Sequence, residues 1–116
     1  MTEPAKKYWS DILDAIREIE SFTSDLPGLN AYLKDRRTKW AAERGLAIIG
    51  EAVNHLRRLD ADGLPSDVDR IVAMRNRLIH SYDNIDDDIV WRVIRGNLPQ
   101  LKQAAESALK GLIGGS

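Results

Sequence analysis

The chain has 116 residues, with 17 Lys and Arg, 18 Asp and Glu, two His and no Cys, so its formal net charge is −1 at pH 7. This length suits one domain spanning residues 1–116, and the near-neutral charge argues against a protein that coats nucleic acid. The lack of Cys excludes disulfides and thiolate metal sites, and with no bilayer-length apolar run and no signal-peptide pattern we expect a cytoplasmic protein.

The first two helices are predicted from the spacing of apolar residues. The first extends from about Lys6 to Thr23, and its apolar positions are Trp9, Ile12, Leu13, Ile16, Ile19 and Phe22. A short helix over Leu29 to Asp35 follows. The charged residues 34–39 are interpreted either as a solvated loop or helix end, or as a rim that attracts phosphate.

The central helix, from about Thr38 to Leu59, has the broadest apolar surface. One row with alternating spacings of four and three is typical of bundle packing: Ala42, Leu46, Ile49, Val53 and Leu56. A second row widens this surface: Ala41, Gly45, Ile48, Ala52 and Leu59. The small residues Gly45, Gly50 and Ala52 would let another backbone approach, either from the same chain or from a partner.

Glu51 and His55 lie four residues apart on the remaining face of the central helix. One interpretation is a surface ion-pair network of small energetic value. The other is that Glu51 holds an active-site arginine. The residues alone leave both interpretations open.

The fourth helix begins after a capping-box-like pair, Ser66 and Asp69, and ends near Tyr82. Arg75 lies within its apolar stripe, where an unpaired cation costs several kcal/mol, so it must meet a partner, a water-filled cleft or an anionic ligand. His80 lies about 140° away from Arg75 around a straight helix. Taken singly, Arg75 could be a salt-bridged residue and His80 a helix cap.

The fifth helix begins at three aspartates, residues 86–88, which we interpret as a cap with dipole compensation rather than as a metal cluster. Its apolar residues continue to Leu112, and Pro99 should kink or restart it near Asn97. The glycines at the carboxyl end should let that end fray.

Three stretches resemble the HEPN-domain ribonucleases, and specifically the HepT-like toxins that pair with a minimal nucleotidyltransferase antitoxin. The first is Arg75-x4-His80-x-Tyr82, the second is the central-helix segment Ala41 to Val53, and the third is Leu98-Pro99. The order of the segments also matches, so the resemblance covers nearly the whole chain. Ser81 departs from the pattern, because many relatives have glycine there.

The resemblance implies RNA cleavage, and the residues of the motif predict that this cleavage needs neither a metal nor a cofactor. His80, in its neutral form, would take the proton of the ribose 2′-hydroxyl, and Arg75 would stabilise the charge on the phosphorane. Asn76 would orient the imidazole or the ribose, and Arg77 would add positive charge. The helical-bundle alternative, a di-iron carboxylate site, fails on ligand count, since the chain has only two His.

The role of Tyr82 stays open between a core residue, a stacking platform for an RNA base and a modification site. The resemblance implies the third role, in which the antitoxin attaches AMP to this tyrosine and the added anion repels RNA. The partners implied are therefore a nucleotidyltransferase antitoxin and single-stranded RNA or tRNA. The alternative function is a non-catalytic HEPN module that pairs with a nucleotidyltransferase or binds a nucleotide.

We therefore predict an all-α, up-and-down bundle of four to five helices that forms a symmetric homodimer. The two fourth helices would face each other across the axis, which would bring two copies of Arg75 and His80 to one groove.

Overall fold

The computed structural model describes residues 1–80 and 85–114, the last four of these as backbone only. This part of the chain is all-helical, as predicted. Its helices are α1 (Glu3–Thr23), α2 (Leu29–Lys34), α3 (Arg36–Arg58), α4 (Val68–His80), α5 (Asp87–Gly96) and α6 (Leu98–Gly114). The described helices number six, whereas four to five were predicted, because Asn97 separates α5 from α6 at the restart expected from Pro99. Ser81 and the end of the chain beyond Gly114 lie outside the described residues.

Two of the helices begin earlier than predicted because a capping side chain precedes them. Thr2 Oγ1 accepts a hydrogen bond from the backbone N–H of Ala5 at 3.2 Å, so α1 begins at Glu3 instead of Lys6. Asp35 Oδ1 accepts from the backbone N–H of Thr38 at 3.0 Å, so residues 36–39 form the first turn of α3. This hydrogen bond holds the pKa of the Asp35 carboxyl below its usual range.

The acidic residues predicted at the starts of α4 and α5 have different roles. Asp69 pairs with the guanidinium of Arg57, and α4 begins only at Val68, so the predicted capping box with Ser66 is wrong. Asp86 Oδ1 accepts from the backbone N–H of Asp88 at 3.0 Å, which confirms the predicted cap of α5.

Helix α3 lies at the centre of the bundle, between α1 and α4. All five residues of its predicted packing row are fully buried: Ala42, Leu46, Ile49, Val53 and Leu56. The second row is buried only in part, because Ile48 and Leu59 are 41% and 44% exposed. Phe22, predicted on the apolar face of α1, is also exposed, and it lines a surface hollow with Ala15 and Gly45. Small side chains leave that hollow unfilled, so apolar spacing alone overestimated burial there.

None of the six described helices combines the length with the apolar character that crossing a lipid bilayer requires.

Candidate active site

An open cleft of about 460 Å³ lies where α1, α3 and α4 meet. Helix α3 forms its floor, and α1 and α4 form its walls. Its lining residues are Lys7, Tyr8, Asp11, Arg44, Ala47, Ile48, Glu51, Ala52, His55, Arg75 and Ile79. Two of the predicted site residues, Arg75 and Glu51, therefore share one cleft although they are 24 positions apart in the sequence.

Arg75 contributes a half-buried guanidinium to this cleft, with its side chain 23% exposed. Its Nη2 donates to Glu51 Oε2 at 2.5 Å, and its Nη1 donates to Asn76 Oδ1 at 3.1 Å. Its Nε is buried and has no hydrogen-bond partner among the described residues. A cation in an apolar stripe was expected to need a partner or a cleft, and Arg75 has both. The Glu51 carboxylate binds one side of its guanidinium, and the cleft opens beside this pair.

Gly50 lets the stem of Arg75 pass directly over α3. A Cβ at this position would lie 2.6 Å from Arg75 Cγ and even closer to Arg75 Cβ, distances that real side chains essentially never reach. Gly45 plays the same role for α1, since a Cβ there would lie 2.7 Å from Ile19 Cδ1. The close approach expected at the small residues of α3 therefore involves neighbouring helices of the same chain.

Glu51 links Arg75 to a second group, the imidazole of His55. Glu51 Oε1 lies 3.1 Å from His55 Nε2, while the other carboxylate oxygen accepts from Arg75. On its far side, His55 Nδ1 lies 3.2 Å from Arg58 Nη2. Both interpretations of Glu51 thus describe real contacts, since it pairs with the histidine on its own helix and also with the arginine of α4.

Tyr8 completes this group from α1. Its ring stacks on the His55 imidazole with ring centroids 4.3 Å apart and planes within 3° of parallel. Tyr8 was not among the predicted site residues, and His55 was expected only as an ion-pair partner. The four-residue spacing from Glu51 to His55 was a signal for that pair, but no local pattern reports a contact between α1 and the end of α3.

His80 is exposed at the last residue of α4 and does not line the cleft. Arg77 is also exposed, outside the cleft, and Asn76 reaches Arg75 only from the rim. One chain therefore assembles Arg75, Asn76 and Glu51 but does not bring His80 to them, as the 140° separation on the helix implied. Tyr82, the predicted modification site, lies outside the described residues.

The charges of the cleft favour an anionic ligand. Three permanent cations, those of Lys7, Arg44 and Arg75, face the two carboxylates of Asp11 and Glu51. Both carboxylates are already engaged, because Lys7 Nζ lies 2.9 Å from Asp11 Oδ2 and Glu51 pairs with Arg75. The hydrogen bond to Asp11 raises the pKa of the Lys7 ammonium, so this cation stays charged at neutral pH.

Residues 1–80 and 85–114 provide no metal-binding cluster. No group of three or more His, Asp or Glu side chains in these ranges is placed to hold a metal ion. The aspartates that open α5 have protein partners instead, since Asp87 pairs with Lys39 at 2.8 Å and Asp88 pairs with Arg92 at 3.0 Å.

The chain is similar to known proteins over most of its length. Residues 12–108 match the family model described as ribonuclease HepT-like. A protein named "Probable ribonuclease HepT" from Thermococcus cleftensis is 32% identical over 95% of this chain and 100% of its own length. Two further relatives come from Methanocaldococcus jannaschii. "Putative RNase MJ0127" is 32% identical over 90% of this chain and 86% of its own length. "Putative RNase MJ1380" is 29% identical over 87% of this chain and 93% of its own length. No solved structure matches the chain.

Proposed function

This chain belongs to the ribonuclease HepT-like family, and we propose that it is a metal-independent endoribonuclease. The observation that carries the proposal is the Arg75 guanidinium, which extends from the α4 wall of an open, cationic cleft and is held by Glu51 at 2.5 Å. A fixed cation of this kind can bind the non-bridging oxygens of a phosphodiester as negative charge develops on them.

In the proposed reaction, RNA supplies its own nucleophile. Neutral His80 takes the proton of the ribose 2′-hydroxyl, and the 2′ oxygen then attacks the adjacent phosphorus. Arg75 stabilises the phosphorane, with Asn76 orienting the imidazole or the ribose and Arg77 adding positive charge nearby. The bond from phosphorus to the 5′ oxygen breaks, and that oxygen takes a proton from solvent. The products are a 2′,3′-cyclic phosphate and a 5′-hydroxyl.

Because His80 lies outside the cleft of its own chain, the mechanism needs a second copy. In a symmetric dimer with the two α4 helices facing each other, His80 of one subunit approaches Arg75 of the other. Two exposed apolar residues support this arrangement, Ile48 and Ile79, which line the cleft and are 41% and 45% exposed. Burying them against a second copy would remove apolar surface from water.

The direct test is incubation of the purified protein with single-stranded RNA and with tRNA in EDTA. We expect cleavage by the wild type, with 2′,3′-cyclic phosphate ends, and its loss in His80→Ala and in Arg75→Ala. Arg92→Ala, which removes an exposed arginine from α5, is the matched control and should cleave normally. Intact RNA with the wild type, or undiminished cleavage by His80→Ala, would refute the proposal.

Mixing the two inactive variants tests the shared site. A dimer of one Arg75→Ala subunit and one His80→Ala subunit keeps one intact pair across the interface, so a mixture should regain roughly a quarter of wild-type activity. No recovery, in a preparation in which native mass spectrometry detects the mixed dimer, would contradict a site shared between subunits.

The same family membership supports a regulatory proposal, in which the chain is the toxin of a type VII-like toxin-antitoxin pair. Its partner would be a minimal nucleotidyltransferase that attaches AMP to Tyr82 and so blocks RNA binding with a bulky anion. The test is the intact mass of the chain from cells that also express the candidate antitoxin. We expect an increase in steps of one AMP that is absent in Tyr82→Phe; an unchanged mass in the wild type would refute this regulation.

A second candidate function is a non-catalytic module that binds a nucleotidyltransferase or a nucleotide. The exposed position of His80, away from Arg75 in the same chain, favours it. Toxicity on expression separates the two functions. A nuclease toxin slows growth and loses this effect with Arg75→Ala, whereas a binding module leaves both growth and cellular RNA unchanged.

A further inference from the structure

We propose that Tyr8 and His55 form a binding site for one base of single-stranded RNA, next to the phosphate held by Arg75. This inference rests on the proposed function and extends it by adding a second recognition element to the same cleft. The proposed cleavage reaction does not use these two parallel aromatic rings, which Glu51 links to Arg75.

The two rings form a rigid stack. Their centroids are 4.3 Å apart and their planes lie within 3° of each other. The imidazole is fixed at both nitrogens, by Glu51 Oε1 at 3.1 Å and by Arg58 Nη2 at 3.2 Å. A platform held in this way loses little conformational entropy when a flat ligand stacks on it.

The stack is also accessible. Tyr8 and His55 are both half-buried, and both line the open cleft. Since the rings are already in contact, a base cannot enter between them and must extend the stack on an outer face. On the Tyr8 side the Lys7 ammonium lies 5.0 Å from the ring centroid, on a side chain that is 67% exposed and therefore able to move aside.

The location of the stack connects it to phosphate binding. One carboxylate, Glu51, contacts both His55 and Arg75, so the base platform and the phosphate-binding cation are held by the same side chain. The cations of Lys7 and Arg44 lie along the same cleft and can accompany the strand. Aromatic surface beside fixed cations is the usual composition of sites for single-stranded nucleic acid, in which a base stacks and the backbone meets Lys or Arg.

The test couples a change in the protein to a change in the RNA. A short single-stranded RNA with 2′-O-methyl ribose at every position cannot be cleaved by the proposed reaction, because it lacks the 2′-hydroxyl nucleophile. This RNA is synthesised with one abasic residue at each position in turn, and its binding to wild type and to Tyr8→Leu is measured by fluorescence anisotropy. We expect one position at which the wild type loses affinity about tenfold on removal of the base, whereas Tyr8→Leu loses almost none. Tyr8→Phe, which keeps the ring, should respond like the wild type. Trp40→Leu, which removes a 65% exposed tryptophan outside the cleft, is the matched control and should also respond like the wild type.

The outcomes separate this site from a purely structural stack and from the nuclease itself. If Tyr8 only holds His55 in place, Tyr8→Leu weakens all the oligonucleotides by a common factor and every abasic position keeps its effect, which overturns the base site. Binding that depends only on phosphate number, with no base-sensitive position in the wild type, overturns it as well. Because binding is measured, base-dependent coupling at Tyr8 without RNA cleavage would support the base site and refute only the nuclease.

Discussion

Two regions of the bundle each contain a buried polar atom without a hydrogen-bond partner among the described residues. In the cleft it is Arg75 Nε, and between α2 and α5 it is the hydroxyl of Tyr32. An unpaired buried polar group costs roughly 1–3 kcal/mol in either place. The two regions nevertheless differ in what the rest of the side chain can do.

Tyr32 is fully buried and packs against Trp91, with ring centroids 5.2 Å apart. Burial raises the pKa of its phenol, and the nearby carboxylates of Glu43 and Asp87 raise it further, so the hydroxyl stays neutral. Arg75 instead keeps its other nitrogens bonded to Glu51 and Asn76 at an open cleft. An unpaired atom thus indicates a binding site only where the remainder of its group can reach a ligand.

The largest expected effect comes from removing the charge of Glu51, the carboxylate that pairs with Arg75 in the cleft and has no counterpart at the Tyr32 hydroxyl. In Glu51→Gln the amide no longer carries the charge that fixes Arg75 and His55, so we expect RNA cleavage to fall about 100-fold through misplacement of the guanidinium. The measurement is the single-turnover cleavage rate in EDTA. Asp88→Asn is the matched control, because it removes a carboxylate from another arginine, Arg92, at the surface of α5. Equal rates for Glu51→Gln and wild type would mean that Glu51 is only a surface ion-pair partner.

The next effect concerns the backbone beneath Arg75. Gly50→Ala places a methyl group 2.6 Å from Arg75 Cγ, so α4 must shift, and we expect the free energy of unfolding to fall by about 1–3 kcal/mol. Gly96→Ala is the matched control, since no heavy atom of the described residues beyond the adjoining backbone lies within 4 Å of the added carbon. This change should be neutral or stabilising by roughly 0.5–1 kcal/mol. Urea denaturation measures both.

Gly45→Ala sharpens this comparison. The added carbon meets the flexible end of Ile19 at 2.7 Å instead of Arg75, so this variant should lose stability without a change in the cleavage rate per folded molecule. Gly50→Ala should lower both the stability and the cleavage rate per folded molecule. Equal rates per folded molecule in the two variants would contradict a role for Gly50 in placing Arg75.

The scaffold could be predicted from sequence because its signals are local. The period of apolar residues predicted α1 and the buried row of α3, and Pro99 predicted the restart at Asn97. Exposure at Phe22 and Ile48 could not be predicted in this way, since it depends on how small the facing side chains are. Apolar spacing identifies the face of a helix that turns inward but not whether a neighbour fills the space.

The candidate site was predictable only in part, for the same reason. Arg75 was identified because a cation within an apolar stripe needs a partner, and one of the two interpretations of Glu51 was that it holds an active-site arginine. Tyr8 belongs to α1, 47 residues before His55, and no local pattern connects the two rings. The proposed approach of His80 to Arg75 requires a second copy of the chain, so it stays a prediction.

The smallest expected effect is that of removing the unpaired hydroxyl between α2 and α5. Tyr32→Phe keeps the packing on Trp91 and deletes a polar atom without a partner, so at neutral pH the free energy of unfolding should stay the same or rise by about 1 kcal/mol. The gain should widen above about pH 10, where the unfolded tyrosine ionises but the buried one does not. A group whose pKa is higher in the folded protein than in the unfolded one stabilises the fold below its unfolded-state pKa, and this stabilisation is lost as the pH rises. The Tyr32 hydroxyl is such a group, and only the wild type has it. Urea denaturation of both proteins at pH 7 and near pH 11 measures the difference. A variant less stable than the wild type at neutral pH would mean that the hydroxyl is hydrogen-bonded in solution, and the contrast with Arg75 would then disappear.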